Sequence, residues 1–425
     1  MQTPGERPGF PRIRGPFALS LKEATMNDHR KLGRELQLFD TDPLIGSGLP
    51  YLLPAGAAVR KAIEDYVHEL ERRHGYQHVN SPVLGKRELY ERSGHWAHYS
   101  DDMFPPMEVG GEQFVLRPSL CPHHVLIYRS RQRSHRELPL RVAELGGMYR
   151  CELSGVLGGL TRVRAIHLND GHVFCAPEQA AEEVSRSLDL IEAAHAQLGI
   201  RARRYRLSLR GDGGKYVDDP QMWARSEQIL REVLEARGQE YDEEKGESAF
   251  YGPKIDIQIA DAAERETSIS TVQVDLYMPG RFELSYIGPD QQPRRPVMVH
   301  RSVVGGMERL LSHLIEVHAG AFPAWLAPVQ AVVLPVSDTE AEAGQALVRR
   351  CVEAGLRAEL AHPDRGSLGA RVRQHRLVPY QLVIGPREAA SHEAAVRLRD
   401  GGQVGAVPIE HLVNQLAGWC SPVLA

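Results

Sequence analysis

Cysteine is scarce in this sequence. Five occur in 425 residues, an odd number at scattered positions (Cys121, Cys151, Cys175, Cys351 and Cys420). That pattern does not read as a disulfide framework, and it suits a reducing cytoplasm, where the chain is expected to reside. No run of about 18 apolar residues occurs, so no membrane-spanning helix is expected. An excess of basic charge is missing too. The net charge of −4 gives no global sign of nucleic-acid binding, so any RNA contact must come from local patches. Lysine is absent from Leu326 onward, where ten arginines face ten carboxylates. Residues 1–27 are rich in Pro, Gly and Arg and lack the apolar core of a secretory signal, so they read as a flexible tail.

What is present belongs to a globular protein. The chain is 42% hydrophobic and 25% charged, and its length exceeds one compact core, which implies two domains or three.

One stretch concentrates the chemistry, Leu140 to Cys175 (LRVAELGGMYRCELSGVLGGLTRVRAIHLNDGHVFC). Read as a strand, Arg162 to Phe174 places Arg162, Arg164, Ile166, Leu168, Asp170, His172 and Phe174 on one face. Two arginines, a carboxylate and an imidazole on one face suit a pocket for an anionic ligand. A surface hairpin with ordinary charges is the plainer alternative. The Gly-rich LSGVLGG makes the whole a long hairpin, in which Arg150 and Arg162 converge where phosphates could bind.

Around it the chain alternates elements. Ala57 to His74 is an amphipathic helix with Val59, Ile63, Val67 and Leu70 on one stripe, and YQHVNSPVL follows as a strand closed by Pro82. EQFVLRPSLCPHHVLIY begins as a strand at Phe114–Leu116 and enters a helix near Pro122. Cys121 sits at that helix start, where the positive end should favour a thiolate, with His123 and His124 as neighbouring metal-ligand candidates. Further helices are expected at Pro177–Gly199 and over DDPQMWARSEQILREVLEARG, and strands at RYRLSLRG, KIDIQIADA and STVQVD. A strand carrying His300 meets a helix that presents Arg309 in its first turns. A salt bridge from Arg309 to Glu308 or Glu316 is the alternative. After Pro323–Pro328, strand–helix alternation over about 100 residues marks a small α/β domain. There Arg371, Arg373 and Arg376 on one helix, and Arg397 and Arg399 on one strand, are compatible with RNA contact or with a plain solvated face. Antiparallel strands with helices between them make the larger part α+β.

The order DHRKLG, HVNSPV, RPSLCP, LPLRVAE, YRCELSG, RVRAIHLNDGH, FYGPKID, TVQVD, PVMVHR, GGMER resembles bacterial threonyl-tRNA synthetase over about residues 28 to 418. The resemblance implies a class II synthetase fold: an antiparallel sheet of six to seven strands flanked by helices over 28–322, then an α/β anticodon-binding-like domain over 326–425. It implies activation of threonine with ATP and Mg²⁺, transfer to threonine tRNA, and a homodimer formed through the helix Ala57–His74 and the strand ending at Pro82. Members of the family also carry N-terminal domains, one of which edits seryl-tRNA, and a chain of this length is expected to lack them.

The resemblance also assigns residues. It maps one Zn²⁺ onto Cys121, His172 and His300, with a fourth position open for the amino acid. Asp170 matches the carboxylate that holds the substrate hydroxyl. Arg150 matches the arginine on the carboxylate and α-phosphate, Glu152 lies near the adenine amino group, and Arg162 and Arg309 match arginines about the ATP tail. Gln273, Tyr251 and Lys254 line the same pocket. Such chemistry rests on positioning and charge neutralisation, consistent with the lack of any catalytic triad.

Several positions depart from the family pattern. NCPGH is Leu120-Cys121-Pro122-His123-His124 here, and FTQDDAH is Ile166-His167-Leu168-Asn169-Asp170-Gly171-His172. Clustered in the amino-acid pocket, these changes suggest an altered substrate. Two further readings follow: a paralogue activating threonine, serine or another β-hydroxy amino acid for a specialised pathway or as a resistant copy, and a non-catalytic RNA-binding or regulatory homologue. Retention of Arg150, Arg309 and the three metal ligands argues against the last.

Overall fold

The computed structural model describes residues 28–261 and 264–424, so the tail expected over residues 1–27 lies outside the described residues. Two compact units are formed. One comprises chiefly Thr41–Tyr51 and Glu64–His313, the other residues up to Asp40, Leu52–Ile63 and Leu314–Val423.

The first unit is built on an eight-stranded sheet. In chain order its strands are Gln77–His78 (β1), Leu140–Tyr149 (β2), Ala165–Cys175 (β3), Arg204–Leu209 (β4), Tyr241–Lys245 (β5), Lys254–Ala260 (β6), Glu266–Asp275 (β7) and Val297–Ser302 (β8). They lie in the order β5-β4-β6-β7-β8-β3-β2-β1. All inner pairs are antiparallel, whereas β5 pairs with β4, and β1 with β2, in parallel. The wholly antiparallel sheet expected from the sequence is thus extended at both edges. On one side the cause is local. A helix, Pro220–Ala236, connects β4 to β5, and a strand–helix–strand crossover returns its second strand parallel to the first.

The longer helices up to residue 318 are Pro54–Arg73 (α1), Cys121–Arg129 (α2), Ala180–Leu198 (α3), Pro220–Ala236 (α4) and Met307–His318 (α5), of which α2, α3 and α4 pack against this sheet. Helix α3 buries Val184, Leu188, Ile191 and Leu198, a helical spacing that faces β7 and β8, and it stops at Gly199 in the left-handed conformation. A separate three-stranded sheet (Leu84–Lys86, Glu112–Leu116, Met107–Val109) precedes α2.

The long hairpin forms, paired from Leu140↔Phe174 to Tyr149↔Ala165. Two details differ from expectation. Strand β3 begins at Ala165, so Arg162 lies in the loop before it. Arg164 does not join an anion-facing row, because its guanidinium donates to the backbone oxygens of Glu152 and Ser47. The strand expected over YQHVNSPVL shrinks to Gln77–His78, and the Ser81 and Pro82 carbonyls accept instead from the Arg117 guanidinium.

The second unit holds a five-stranded sheet of Ala331–Pro335 (β9), Ala358–Leu360 (β10), Tyr380–Ile384 (β11), Glu393–Leu398 (β12) and Gln403–Pro408 (β13), ordered β10-β9-β11-β12-β13. Helices Ala341–Glu353 (α6), Leu368–Gln374 (α7) and Ile409–Trp419 (α8) accompany it. Leu347, Cys351, Leu382, Val396, Leu412 and Leu416 form its core. The arginines suspected of RNA contact divide. Arg371 is buried, with its guanidinium donating to the carbonyls of Gly366, Pro335 and Ala361. Arg399 donates to those of Phe322 and Leu377, and Arg376 lies past the end of α7. Arg373 and Arg376 remain exposed.

Candidate active site

The cavity of the larger unit has a volume of ≈ 380 Å³, adequate for a small-molecule site. Cys121, Arg150, Glu152, Arg162, Asp170, Tyr251, Lys254, Gln273, His300 and Arg309 all line it. His172 does not line the cavity and sits fully buried beside it.

Three arginines crowd one end. Arg150 follows β2, and its Nε is buried with no hydrogen-bond partner. Glu152 accepts from Arg162 at 2.8 Å. Arg309 is anchored through Nε to the Thr161 carbonyl and through Nη1 to the Ser268 carbonyl. It makes neither of the salt bridges suggested as alternatives, because Glu308 binds His167 and Glu316 binds His29. Gly305 sets up the helix carrying Arg309. Its φ is +67°, and a Cβ there would collide with the Ile269 carbonyl. Burial, then the Arg150 and Arg162 charges, pull the Arg309 pKa below its ordinary value. Like charges gathered in partly buried space suit a polyanionic ligand.

At the other end a thiol and two imidazoles meet. Ligand atoms of Cys121, His172 and His300 all lie within 4.8 Å of one another. Cys121 starts α2, but its thiol is not lowered by the helix end as expected. Burial holds it well above its usual range, assisted by Asp170 and Asp275 and opposed by the Ser119 hydroxyl. His300 is fixed from behind by Asp275, whose Oδ2 accepts from Nε2 at 2.9 Å. His300 Nδ1 therefore points a lone pair at His172 Nε2, 3.0 Å away. On its other side, His172 Nδ1 meets His124 Nδ1 at 2.7 Å, and His124 Nε2 meets Glu144 at 3.1 Å. Glu144 is an acceptor throughout, taking Ser81 and Arg117 as well. In the tautomer where His124 Nε2 donates to Glu144 and His172 Nδ1 donates to His124 Nδ1, His172 Nε2 also presents a lone pair. In that tautomer two lone pairs 3.0 Å apart face the Cys121 sulfur, an arrangement able to accept a cation. The donor set, one sulfur and two nitrogens, is that of a zinc site with an open position. Asp170 lies 3.8 Å from His172 Nε2, so a carboxylate flanks that position.

The remaining residues complete the walls. Tyr251 packs near the His300 ring at 5.2 Å, Lys254 pairs with Asp256, and Gln273 donates to the Gly252 carbonyl. Sequence reasoning missed Asp275, Glu144 and His95. Asp275 lies two residues from Gln273, the partner of His300, and is therefore its same-face diagonal neighbour. Glu144 stands directly opposite Asp170 in the hairpin. His95 Nε2 lies 2.9 Å from Ser119 and 3.8 Å from the Cys121 sulfur, and burial lowers its pKa to about 3.

Residues 107–318 match the tRNA synthetase class II core domain (G, H, P, S and T), and residues 330–419 match an anticodon binding domain. The chain is 48% identical over 392 residues to the threonine--tRNA ligase of Geobacillus sp. (strain WCH70), covering 91% of this chain and 60% of that protein. Identity to the threonine--tRNA ligase of Geobacillus kaustophilus (strain HTA426) is 47%, over 90% of this chain and 59% of that one. Among solved structures, the RNA binding domain of threonyl-tRNA synthetase from Cryptosporidium parvum Iowa II superposes with a TM-score of 0.87 at 33% identity, covering 93% of this chain and 99% of that one. The chain belongs to the threonyl-tRNA synthetase family. It spans about three-fifths of the length of the curated relatives it matches. A prolyl-tRNA synthetase of Giardia lamblia, at 18% identity and a TM-score of 0.70, shares the fold.

Set against the family pattern, the departures do not cluster as expected. Leu120 is buried beneath Gly146, and His123 packs against Tyr90; neither lines the cavity. Asn169 points to the other face of β3, where it donates to Glu71 and accepts from Arg301. Gly171 shares that face, and a Cβ there would stand 2.5 Å from the Arg301 guanidinium carbon. Of the departing residues, Ile166 and Leu168 line the cavity.

Proposed function

We propose that this chain activates threonine with Mg²⁺-bound ATP and passes the aminoacyl group to threonine tRNA. The observation that carries this reading is the meeting, in one cavity, of an arginine cluster with the Cys121 sulfur and the His300 imidazole, flanked by Asp170 and backed by the buried His172. Cys121, His172 and His300 would hold a zinc ion, which when bound supplies a Lewis-acidic position able to ligate an amino group and a neighbouring hydroxyl. Asp170 accepts the hydroxyl proton, so a side chain lacking that oxygen leaves the carboxylate unpaired. Arg150 and Arg309 hold the carboxylate and α-phosphate as charge develops there, with Arg162 on the phosphate tail and Glu152 at the base. Gln273, Tyr251 and Lys254 bound the substrate and exclude water. In this reading residues 28–322 form the catalytic domain, residues 326–425 read the anticodon, and the active form is a homodimer.

Threonine-dependent exchange between pyrophosphate and ATP is the direct test, followed by charging of threonine tRNA. No exchange with threonine across a range of concentrations overturns the proposal. Leu168 favours one variant reading, a broader preference among β-hydroxy amino acids, since one polar contact to the substrate is replaced by an alkyl wall. Comparable exchange rates with threonine and serine would support it, and strict threonine preference would exclude it.

A further inference from the structure

We infer that His124, backed by Glu144 and Arg117, is a positioning residue that fixes the tautomer in which His172 offers its Nε2 lone pair to the metal. The inference rests on the metal reading above and adds three residues that lie behind the ligand set.

The geometry runs outward from the cavity in one buried line. Arg117 Nη2 donates to Glu144 Oε1 at 3.0 Å, and Arg117 Nη1 donates to the Ser81 hydroxyl at 2.7 Å. The Ser81 hydroxyl in turn donates to Glu144 Oε2 at 2.7 Å. Glu144 is thereby surrounded by donors, so the atom of His124 that meets it, Nε2, must carry a hydrogen. When His172 Nε2 ligates a metal, the remaining ring hydrogen sits on Nδ1, and His124 Nδ1, 2.7 Å away, is the acceptor that faces it. In that tautomer His172 Nε2 carries no hydrogen on the side of Cys121 and His300. Reversing the line would set a bare His124 nitrogen against an ionised carboxylate, which the Arg117 contact disfavours. Metal-bound histidines gain orientation and basicity when the far ring nitrogen donates to an acceptor. Here that acceptor is itself an imidazole, set by a carboxylate one step further out.

The fold supplies the line economically. Cys121 and His124 are three residues apart on one side of α2, so a single helix turn delivers a ligand and the group that orients another ligand. Glu144 comes from β2 directly across from Asp170, two residues along from the partner of His172.

Replacement of His124 separates this role from simple packing. His124→Phe keeps a ring of similar size and removes the acceptor. His124→Gln keeps an acceptor oxygen within a similar reach. Zinc affinity of the full chain, measured by competition with a chromophoric chelator, should fall about 10–100-fold in the Phe variant and largely recover in the Gln variant. The Co²⁺-substituted protein gives an independent readout, since loss of an imidazole ligand shifts its d–d absorption bands. Melting temperatures of the metal-free proteins report whether each variant folds. Wild-type protein that binds no zinc overturns the metal reading itself. Zinc bound equally by wild type and a folded His124→Phe variant, with unchanged Co²⁺ bands, overturns the positioning role alone. Equal loss in the Phe and Gln variants also overturns it, since the acceptor would then not be what matters. Should His124→Phe fail to fold, His124→Gln against His124→Leu carries the same comparison.

Discussion

Glu152 closes an ion pair with Arg162 at 2.8 Å, so of the three guanidiniums around the cavity one arrives already partnered by a carboxylate. Arg150 and Arg309 have no carboxylate partner, so in the proposed reaction they meet the polyanion with their charge uncompensated. Arg309 has a further constraint: Nε and Nη1 are tied to the Thr161 and Ser268 carbonyls, which leaves Nη2 for a ligand. One ammonium cannot hold both anchors and still reach the ligand. Arg309→Lys is therefore expected to lower kcat/KM for ATP in pyrophosphate exchange about 10²–10³-fold, the usual cost of one preorganised donor. A loss below tenfold would remove Arg309 from the reaction.

Leu168 lines the cavity where the family pattern carries a glutamine. Restoring a single neutral hydrogen bond is worth about 0.5–1.5 kcal/mol. Leu168→Gln should accordingly lower the KM for threonine about two- to tenfold in the exchange assay. An unchanged or higher KM would show that the pocket has been rebuilt around the alkyl side chain.

Which of these features were legible beforehand follows from distance along the chain. Helices such as Ala180–Leu198 and the Leu140–Cys175 hairpin were readable because periodicity and terminating glycines are local. Strand alternation alone marked Asp170 and His172 as facing one pocket, but the family resemblance was needed to name His172 a metal ligand. The His124–Glu144 line was invisible, since it depends on which ring nitrogen meets which oxygen across 48 and 20 residues of sequence. Burial of Arg371 was hidden for the same reason. A guanidinium that satisfies backbone carbonyls has no signature in residue type, and Arg371 looks identical to its exposed neighbour Arg373.

His195 ties stability to pH. It lies on the inner face of α3, with Nε2 donating to the Ser270 hydroxyl at 2.8 Å, and burial, with His313 nearby, lowers its pKa to about 4. The folded value lies below the ordinary 6.5, so the unfolded chain takes up a proton first as pH falls. The stability gained by keeping this ring neutral is complete above pH 6.5 and declines as pH drops towards 4, by up to about 1.4 kcal/mol per pH unit. His195→Gln keeps the donor to Ser270 and removes the proton uptake. Its melting temperature should fall less between pH 7 and pH 5 than that of wild type, and parallel falls would contradict the assignment.

The smaller unit separates structural from surface arginines within a single helix. Arg371 is 1% exposed, and its guanidinium satisfies the carbonyls of Gly366, Pro335 and Ala361 at 3.0, 2.8 and 2.8 Å. Truncating it leaves those acceptors buried without a donor, at about 1–3 kcal/mol for an orphaned group. Arg373, two residues on, is exposed and carries no such duty. Arg371→Ala is therefore expected to destabilise this unit by about 2–4 kcal/mol, read as earlier unfolding in urea followed by limited proteolysis between residues 326 and 425. Arg373→Ala should leave stability within about 0.5 kcal/mol, and any loss of tRNA affinity in it can then be credited to the surface charge. If Arg371→Ala were as stable as wild type yet bound tRNA more weakly, the guanidinium would be facing RNA instead of the backbone, and the division between the two arginines would fall.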